Sequence, residues 1–331
     1  MHDLVEDNPL QATPNPPSRR VDAEARAAVA VLIPCYNEEV AIGAVVSQFR
    51  AALPDAAIFV YDNNSRDGTA ARAAAAGAVV RPAPLQGKGN VVRLMFADIE
   101  ADIYVLVDGD GTYDAAAAPA MVAALSNGRL DMVNGARISE EQAAYRPGHR
   151  LGNQMLTGLV RSAFGSGFRD MLSGYRVFSR RFVKSFPAAS HGFEIETELT
   201  VHALQMRLPA CEVETTYFTR PGGSVSKLNT VRDGLRILRM IGLLLREERP
   251  LHCFGAVAAL SWIAALALGA RVALEYFRTG LVLHFPTLIV AVALGTIGLV
   301  SLACGLILDS LARGRLEQRR FAYLAASPSA R

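Results

Sequence analysis

The residues best suited to chemistry are the acidic pair Asp108 and Asp110, which flank Gly109. They follow the apolar run at residues 103–107, which is typical of a buried strand. Side chains at i and i+2 leave an extended chain on the same side, so the two carboxylates can face one ligand. Hard carboxylate oxygens suit Mg²⁺ or Mn²⁺ held together with a substrate diphosphate. Because acidic pairs are also common in ordinary loops, the metal site needs support from other segments.

Two further polar loops follow predicted strands. Residues 34–39 come after the strand at 29–33, and residues 62–69 come after the strand at 58–61. Strand patterns alternate with helical patterns here, which predicts right-handed crossovers and a mainly parallel sheet covered on both faces. Ligands of such sheets bind outside the carboxyl ends of the strands. We therefore expect the three polar loops to meet at one edge.

Several common phosphate-binding motifs are missing. The chain has no GxGxxG and no GxxxxGK[ST], so the usual dinucleotide and P-loop interpretations lose their main support. Lys88, flanked by two glycines, precedes a predicted helix and could meet a phosphate. Asp62 and Asp67 could instead be turn formers, and Asp114 is expected to cap the helix after it.

Composition limits the class of protein. The 331 residues are 51% apolar and carry a formal net charge of +3, so one sizeable core is possible and bulk charge favours no nucleic-acid partner. The four cysteines are scattered without a CxxC pair, which indicates reduced thiols. Cys35 is interpreted as a small apolar filler. Residues 1–28 are proline-rich and polar, which predicts a disordered leader without a secretory signal.

The last third of the chain predicts a membrane hairpin. Residues 251–270 and 285–308 contain no charged side chain, and each run is long enough to cross a bilayer as a helix. We expect transmembrane helices at 251–274 and 285–308, joined by about ten to fourteen residues, and a cytoplasmic tail at 309–331. Arginines cluster outside the hairpin, which places both termini in the cytoplasm. Two buried core helices are the alternative.

Residues 229–249 are predicted to form an amphipathic juxtamembrane helix. Arg232, Arg236 and Arg239 fall at i, i+4 and i+7, beside a row of leucine and isoleucine. Such a basic stripe suits a helix that lies on an anionic membrane surface. An ordinary amphipathic packing helix is the competing interpretation.

Together these segments resemble a family 2 glycosyltransferase of the inverting GT-A type. More narrowly, they resemble the polyprenyl-phosphate glycosyltransferases typified by dolichyl-phosphate mannose and glucose synthases. The resemblance covers residues 29–235, and two departures lie within it: Asn63 and Asn64 replace Asp and Gly of the usual nucleotide-binding motif, and Thr112 replaces a frequent Gln. The matching segments are 34–38, 62–65, 67–69, 87–89, 108–110, 135–137, Arg150 with Asn153, 170–176, 193–194, 217–224 and 226–228.

The resemblance implies an α/β fold: a GT-A, Rossmann-like catalytic domain with a mainly parallel sheet at 29–228, followed by the two-helix hairpin. It also implies inverting transfer of a sugar from a nucleotide-diphosphate sugar to a polyprenyl phosphate. The alanine- and arginine-rich composition suggests a bacterium, and hence undecaprenyl phosphate. The expected location is the cytoplasmic face of the inner membrane, in contact with membrane lipid. A homo-oligomer formed through the hairpin is compatible with the family.

On the donor side, the resemblance implies an Mg²⁺ or Mn²⁺ ion on Asp108 and Asp110 that offsets charge on the leaving diphosphate. Asp62 is expected to accept a hydrogen bond from the base or ribose. The implied nucleotide-sugar residues are Pro34, Tyr36, Asn37, Glu38, Asp62, Asn64, Lys88, Asp108, Gly109 and Asp110.

On the acceptor side, a polyprenyl phosphate is already ionised at pH 7, so its oxygen needs no general base. It must be held in line with the sugar, which arginines do through bidentate contacts. The resemblance assigns Arg137 and Arg150 to the acceptor phosphate, and Arg220 and Lys227 to the donor diphosphate or that phosphate. Surface salt bridges are the alternative for any single arginine.

Four more residues are implied in the acceptor and sugar pocket: Asp170, Ser173, Arg176 and Glu194. Asp170 is hypothesised to orient Arg176 or the sugar, on motif position only. Glu194 stands where other family 2 enzymes keep an acidic residue near the acceptor. Because no proton has to be removed, we expect it to contact a sugar hydroxyl.

Three other functions compete with this interpretation. A processive or other-acceptor family 2 enzyme is the nearest, but the processive Gln-x-x-Arg-Trp motif is missing and Trp262, the only Trp, lies in a predicted span. A non-catalytic membrane scaffold that binds nucleotide sugars is the second, and the Asp108/Asp110 pair argues against it. A nucleotidyltransferase is the third. That class normally opens with a Gly-rich, Arg-containing loop, and no such loop follows Ile33.

Overall fold

The computed structural model describes residues 27–138, 158, 168–221, 238–243, 246–247 and 249–326. Its strands are β1 (Ala27–Cys35), β2 (Ala57–Asp62), β3 (Val79–Pro82), β4 (Ala101–Leu106), β5 (Met132–Ile138), β6 (Arg176–Ser179) and β7 (Ala210–Thr216). The helices assigned within these residues are α1 (Ile42–Ala52), α2 (Thr69–Ala75), α3 (Lys88–Asp98), α4 (Ala118–Asn127), α5 (Arg180–Ser185), α6 (Ile195–Met206), α7 (Pro250–Thr279) and α8 (Phe285–Ala325).

The strands form one seven-stranded sheet in the order β3-β2-β1-β4-β6-β5-β7. β1 pairs in parallel with both β2 and β4, β2 pairs in parallel with β3, and β5 pairs in parallel with β7. β6 is antiparallel to both of its neighbours. The predicted mainly parallel α/β sheet is therefore confirmed, with a single reversed strand between its two halves.

Apolar side chains cover both faces of the sheet. Successive side chains of a strand point to opposite faces, and β1 is apolar at every position of its central run. Ala30 and Leu32 lie in the cluster formed with α3, α5 and α6. Val31 and Ile33 lie in the opposite cluster, formed with α1 and α4. A central parallel strand must be apolar on both faces for this reason.

Helices α7 and α8 form an antiparallel pair that is long and apolar enough to cross a membrane. Trp262 Nε1 donates to the carbonyl of Gly295 at 3.2 Å, and Ser301 Oγ donates to the carbonyl of Phe254 at 3.0 Å. Residues 280–284 separate the two helices, and α7 continues through residues 275–279, beyond the predicted span at 251–274.

Helix α8 is much longer than a single span. Its 41 residues extend about 60 Å at 1.5 Å per residue, about twice the thickness of a bilayer core. Near its end, the Tyr323 hydroxyl donates to Asp131 Oδ2 at 2.9 Å, and the Arg181 guanidinium lies 4.9 Å from the Tyr323 ring centre. The segment predicted as a tail is thus helical through Ala325 and is packed against the sheet domain.

Candidate active site

Three polar loops lie together at one edge of the sheet, because they leave the carboxyl ends of neighbouring parallel strands. β2 and β4 flank β1 on its two sides, with Cys35 opposite Asp62. Pro34 and Tyr36, both expected on the donor side, are half-buried where β1 ends. This edge is where ligands of open α/β sheets bind.

The loop after β1 is hydrogen-bonded to the loop after β2. The Asn37 side-chain oxygen accepts from the Arg66 amide at 2.8 Å, and the Asn37 amide donates to Ser65 Oγ at 2.9 Å. The Glu38 amide donates to Thr69 Oγ1 at 2.8 Å. These bonds, made by the Asn37 side chain and by the backbone amides of Asn37 and Glu38, hold the two loops together beside the sheet edge.

Asp62 lies between these loops with an unusual acceptor. Its Oδ2 accepts from the Ser65 amide at 3.3 Å, whereas its Oδ1 is buried and has no hydrogen-bond partner among the described residues. A buried carboxylate oxygen without a partner is costly unless a ligand or water supplies a donor. This geometry fits the expectation that Asp62 accepts from a nucleoside.

Asn63 and Asn64, which replace Asp and Gly of the usual nucleotide-binding motif, hydrogen-bond to the neighbouring segment 83–87. The Asn63 amide nitrogen donates to the carbonyls of Ala83 and Leu85, each at 2.8 Å, and its oxygen accepts from the Gly87 amide at 2.7 Å. Asn64 has a left-handed backbone (φ 63°) and donates to the Pro84 carbonyl at 3.0 Å. Asn64 also donates to Gln86 Oε1 at 3.3 Å, so the side chains of both residues bond to segment 83–87 in this structure.

Lys88 lies between two carboxylates. Its Nζ contacts Asp108 Oδ1 and lies 2.6 Å from Glu196 Oε1. The Lys88 and Glu196 side chains are only 7% and 10% exposed. Burial alone would lower the pKa of Lys88, but Asp108 and Glu196 outweigh it and raise that pKa, so the ammonium stays charged. Burial also raises the pKa of Glu196, against the opposing effect of Lys88.

Asp110 is held by the chain on one oxygen and by a cation on the other. Its Oδ1 accepts from the Thr112 amide at 3.1 Å and hydroxyl at 2.6 Å, and its Oδ2 lies 2.5 Å from Arg220 Nη2. The preceding Gly109 has no room for a side chain, because a Cβ would lie 2.5 Å from Cys35 Sγ. Cys35 is buried, as expected of a packing residue.

The oxygen donors at this edge fit a divalent cation that is held jointly with a ligand. The described part of the chain contains no group of three or more His, Cys, Asp or Glu side chains arranged to hold a metal. Two carboxylates are a typical protein contribution to an Mg²⁺ site, where substrate phosphates and water complete the shell. Asp108 and Asp110 supply such a pair.

Arg137, at the end of β5, forms a bidentate ion pair with Asp170. The two guanidinium bonds, from Nε and Nη2, are both 2.7 Å, and the Arg137 amide also donates to Asp170 Oδ2 at 3.2 Å. The guanidinium lies 5.5 Å from the ring centre of Tyr217. Burial alone would lower the pKa of Arg137, but the nearby Asp170 carboxylate outweighs burial and raises that pKa. The guanidinium is therefore fixed in charge and in orientation.

Ser173 and Arg176, expected in the acceptor and sugar pocket, are fully buried. The Arg176 guanidinium donates to the carbonyls of Ser173 at 3.0 Å and Met171 at 2.6 Å, and to Thr200 Oγ1 at 2.9 Å. Ser173 Oγ donates to the Gly135 carbonyl at 2.5 Å. Both side chains are thus buried and hydrogen-bonded to the protein in this structure, and their place in the acceptor and sugar pocket stays a prediction.

Glu194 immediately precedes α6, and its Oε2 is buried without a hydrogen-bond partner among the described residues. Glu196, two residues further on in the first turn of α6, was not among the predicted site residues. It contacts a lysine 108 positions away in the chain, so no local spacing rule connects the two. The available signal was the acidic run Glu194, Glu196 and Glu198. Arg150 and Lys227 lie outside the described residues.

Comparison with known proteins places the chain in a family. Residues 30–186 match the family model described as glycosyl transferase family 2. The chain is 37% identical to glycosyltransferase AglJ of Haloferax volcanii over 255 residues, 75% of this chain and 82% of that protein. It is 27% identical to a dolichyl-phosphate hexose transferase of the same organism over 221 residues, 67% of this chain and 95% of that protein.

The fold is also shared with a solved enzyme. Glucosyl-3-phosphoglycerate synthase from Mycobacterium tuberculosis, in complex with Mn²⁺, UDP-glucose and phosphoglyceric acid, superposes with a TM-score of 0.54 at 24% identity. The match covers 66% of this chain and 80% of that one. The expected GT-A architecture and the glycosyltransferase class are thereby confirmed. The chain belongs to glycosyl transferase family 2.

Proposed function

We propose that this enzyme transfers a sugar, with inversion, from a nucleotide-diphosphate sugar to a polyprenyl phosphate at the cytoplasmic face of the membrane. The observation that carries the proposal is the combination, in one chain, of a sheet edge where Lys88 and Arg220 lie against Asp108 and Asp110 with two helices of membrane-spanning length. The similarity to a dolichyl-phosphate hexose transferase supports the choice of acceptor. The lipid acceptor and the sugar donor are then both substrates of this site.

Asp108 and Asp110 would hold Mg²⁺ or Mn²⁺ beside the donor diphosphate. The bound ion supplies positive charge that offsets the negative charge gathering on the leaving group. Lys88 and Arg220 contact these same carboxylates and would bring further positive charge to the diphosphate. Asp62, whose Oδ1 has no hydrogen-bond partner in the described part of the chain, would accept a hydrogen bond from the nucleoside.

Arg137 would hold the acceptor phosphate, together with Arg150. A guanidinium has five N–H donors, so pairing with Asp170 is compatible with simultaneous contact to a phosphate. Asp170 fixes the orientation of Arg137 through two parallel bonds. The phosphate oxygen is already ionised, so these residues orient a nucleophile and remove no proton.

The hairpin would place this site at the bilayer surface. A polyprenyl phosphate exposes only its phosphate above the hydrocarbon, so the enzyme must approach the membrane closely. Helices α7 and α8 suit this anchoring, and the end of α8 binds the sheet domain through Tyr323 and Asp131. We propose an inner-membrane location with both termini cytoplasmic, since arginines flank the hairpin on that side.

The experiment is a lipid-extraction assay. Membranes containing the protein receive undecaprenyl phosphate, Mg²⁺ or Mn²⁺, and a panel of labelled UDP- and GDP-sugars. We expect label from one donor to enter the organic phase, and Asp110→Asn to abolish this transfer while the protein stays folded and membrane-bound. A parallel arm supplies phosphoglyceric acid as the acceptor. Label found only in a water-soluble product would refute the lipid acceptor, and retained transfer by Asp110→Asn would refute the metal assignment.

A further inference from the structure

The glycines on either side of Lys88 lock it against the segment that begins α6. A Cβ on Gly87 or on Gly89 would lie 2.3 Å from a backbone carbonyl oxygen of the 190–192 segment. The Gly89 amide also donates to a carbonyl of that segment at 3.1 Å. Close backbone contact of this kind requires glycine. It fixes the backbone of Lys88 relative to the first turn of α6, where Glu196 lies.

The resulting cluster contains one cation and two carboxylates. Lys88 Nζ lies 2.6 Å from Glu196 Oε1 and contacts Asp108 Oδ1 on its other side. Gly174 closes the cluster, since a Cβ there would lie 2.4 Å from Asp108 Oδ2 and 2.9 Å from Lys88 Nζ. The ammonium is therefore confined to a small volume in which both carboxylates compete for it.

We propose that Glu196 is a positioning residue that holds Lys88 in place so that Asp108 becomes available to a divalent cation. The proposal rests on the metal site of the proposed function. A buried ammonium that loses its only counter-charge is strongly destabilised. With Glu196 present, Lys88 keeps an ion pair when Asp108 turns to a metal. Without it, Asp108 is the one anionic partner left to Lys88 among the described residues, and a cation must compete with the lysine for that carboxylate.

The test measures Mn²⁺ binding to the full-length protein in detergent, by electron paramagnetic resonance of free Mn²⁺ and without any nucleotide. Glu196→Gln keeps the side-chain shape and removes the charge. We expect it to weaken Mn²⁺ binding by about tenfold, the lower end of the effect of removing an outer-shell partner. Glu196→Asp, which keeps the charge, should bind Mn²⁺ more tightly than Glu196→Gln. Lys88→Met should bind at least as tightly as the wild type, and adding Glu196→Gln to it should change nothing further.

The matched control is Glu100→Gln. Glu100 Oε1 also lies 2.6 Å from a lysine, Lys184, but it precedes β4 and so belongs to the opposite edge of the sheet. The Glu100→Gln substitution should leave Mn²⁺ affinity unchanged. Unchanged Mn²⁺ affinity in folded Glu196→Gln would overturn the inference. Equal weakening of Mn²⁺ binding in Glu196→Gln and Glu100→Gln would overturn it as well. If the wild type binds Mn²⁺ no more tightly than Asp108→Asn, the metal assignment itself fails and the inference fails with it.

Discussion

Replacing Asp170 by Asn should specifically weaken use of the lipid acceptor. The Asp170 carboxylate accepts two bonds of 2.7 Å from the Arg137 guanidinium. The two side chains are 10% and 17% exposed, so solvent does little to screen the pair. Asn has nearly the same shape, but one of its two polar atoms is a donor that cannot bind another donor. The variant therefore keeps one bond, from the charged guanidinium to an uncharged amide oxygen, and loses the other.

The size of the effect follows from those bonds. A hydrogen bond to a charged group contributes about 1.5–3 kcal/mol. Losing one such bond and weakening its neighbour removes about 2 kcal/mol of the energy that holds Arg137 in its orientation. If that orientation is needed to bind the acceptor phosphate, the KM for polyprenyl phosphate should rise about 30-fold, since each 1.4 kcal/mol is tenfold. The KM for the nucleotide sugar should stay the same.

The assay is steady-state transfer with each substrate varied in turn, on protein whose unfolding temperature is recorded alongside. Arg137→Gln provides the reference, because Asp170→Asn should have little further effect when the arginine is absent. An unchanged acceptor KM in folded Asp170→Asn would refute the assignment of Arg137 to the acceptor. A rise in the donor KM alone would move the pair to the donor side.

Three further changes test the structural basis of the site. Gly89→Ala should lower the unfolding temperature and weaken Mn²⁺ binding, because its Cβ would lie 2.3 Å from a carbonyl oxygen; Gly43→Ala, with nothing within 4 Å, should do neither. Burial lowers the pKa of His202 to about 3, below the value near 6.5 of an unfolded chain. The contribution of neutral His202 to the free energy of unfolding is therefore complete above pH 6.5. It falls on acidification, by about 2 kcal/mol at pH 5. Between pH 7 and pH 5 the unfolding temperature of His202→Gln should fall less than that of the wild type. An equal fall in both proteins would contradict this. Tyr323→Phe removes a 2.9 Å bond to buried Asp131 and should make the end of α8 more sensitive to protease, whereas an unchanged cleavage rate would show that this bond does not hold the helix.

Local patterns in the sequence were sufficient for much of the fold. The apolar run of β1 predicts a strand buried on both faces, and the strand–helix alternation predicts the parallel half of the sheet. Asp114 caps the turn Ala115–Ala117 as expected, accepting from the Ala116 amide at 2.9 Å. These features depend on neighbouring residues only, and neighbouring residues are what periodicity and capping rules describe.

Longer-range features escaped the sequence analysis. β6 has only four residues, too few for a periodic signal, and its place between β4 and β5 depends on both partners. The docking of α8 joins Tyr323 to Asp131 across 192 positions of the chain. Hydropathy located the apolar half of that helix but carries no information about where its polar half binds.

The sequence by itself determined which polar loops meet at one edge of the sheet, since acidic and amide side chains follow strands whose carboxyl ends share that edge. The tertiary structure alone decided the pairings within that site: Asp170 with Arg137, and Lys88 with Glu196. An ion pair forms between whichever opposite charges the packed backbone brings within reach. The distance between the charged partners is set by the contact of α3 with the 190–192 segment and by the register of β5. No local sequence motif predicts either of these.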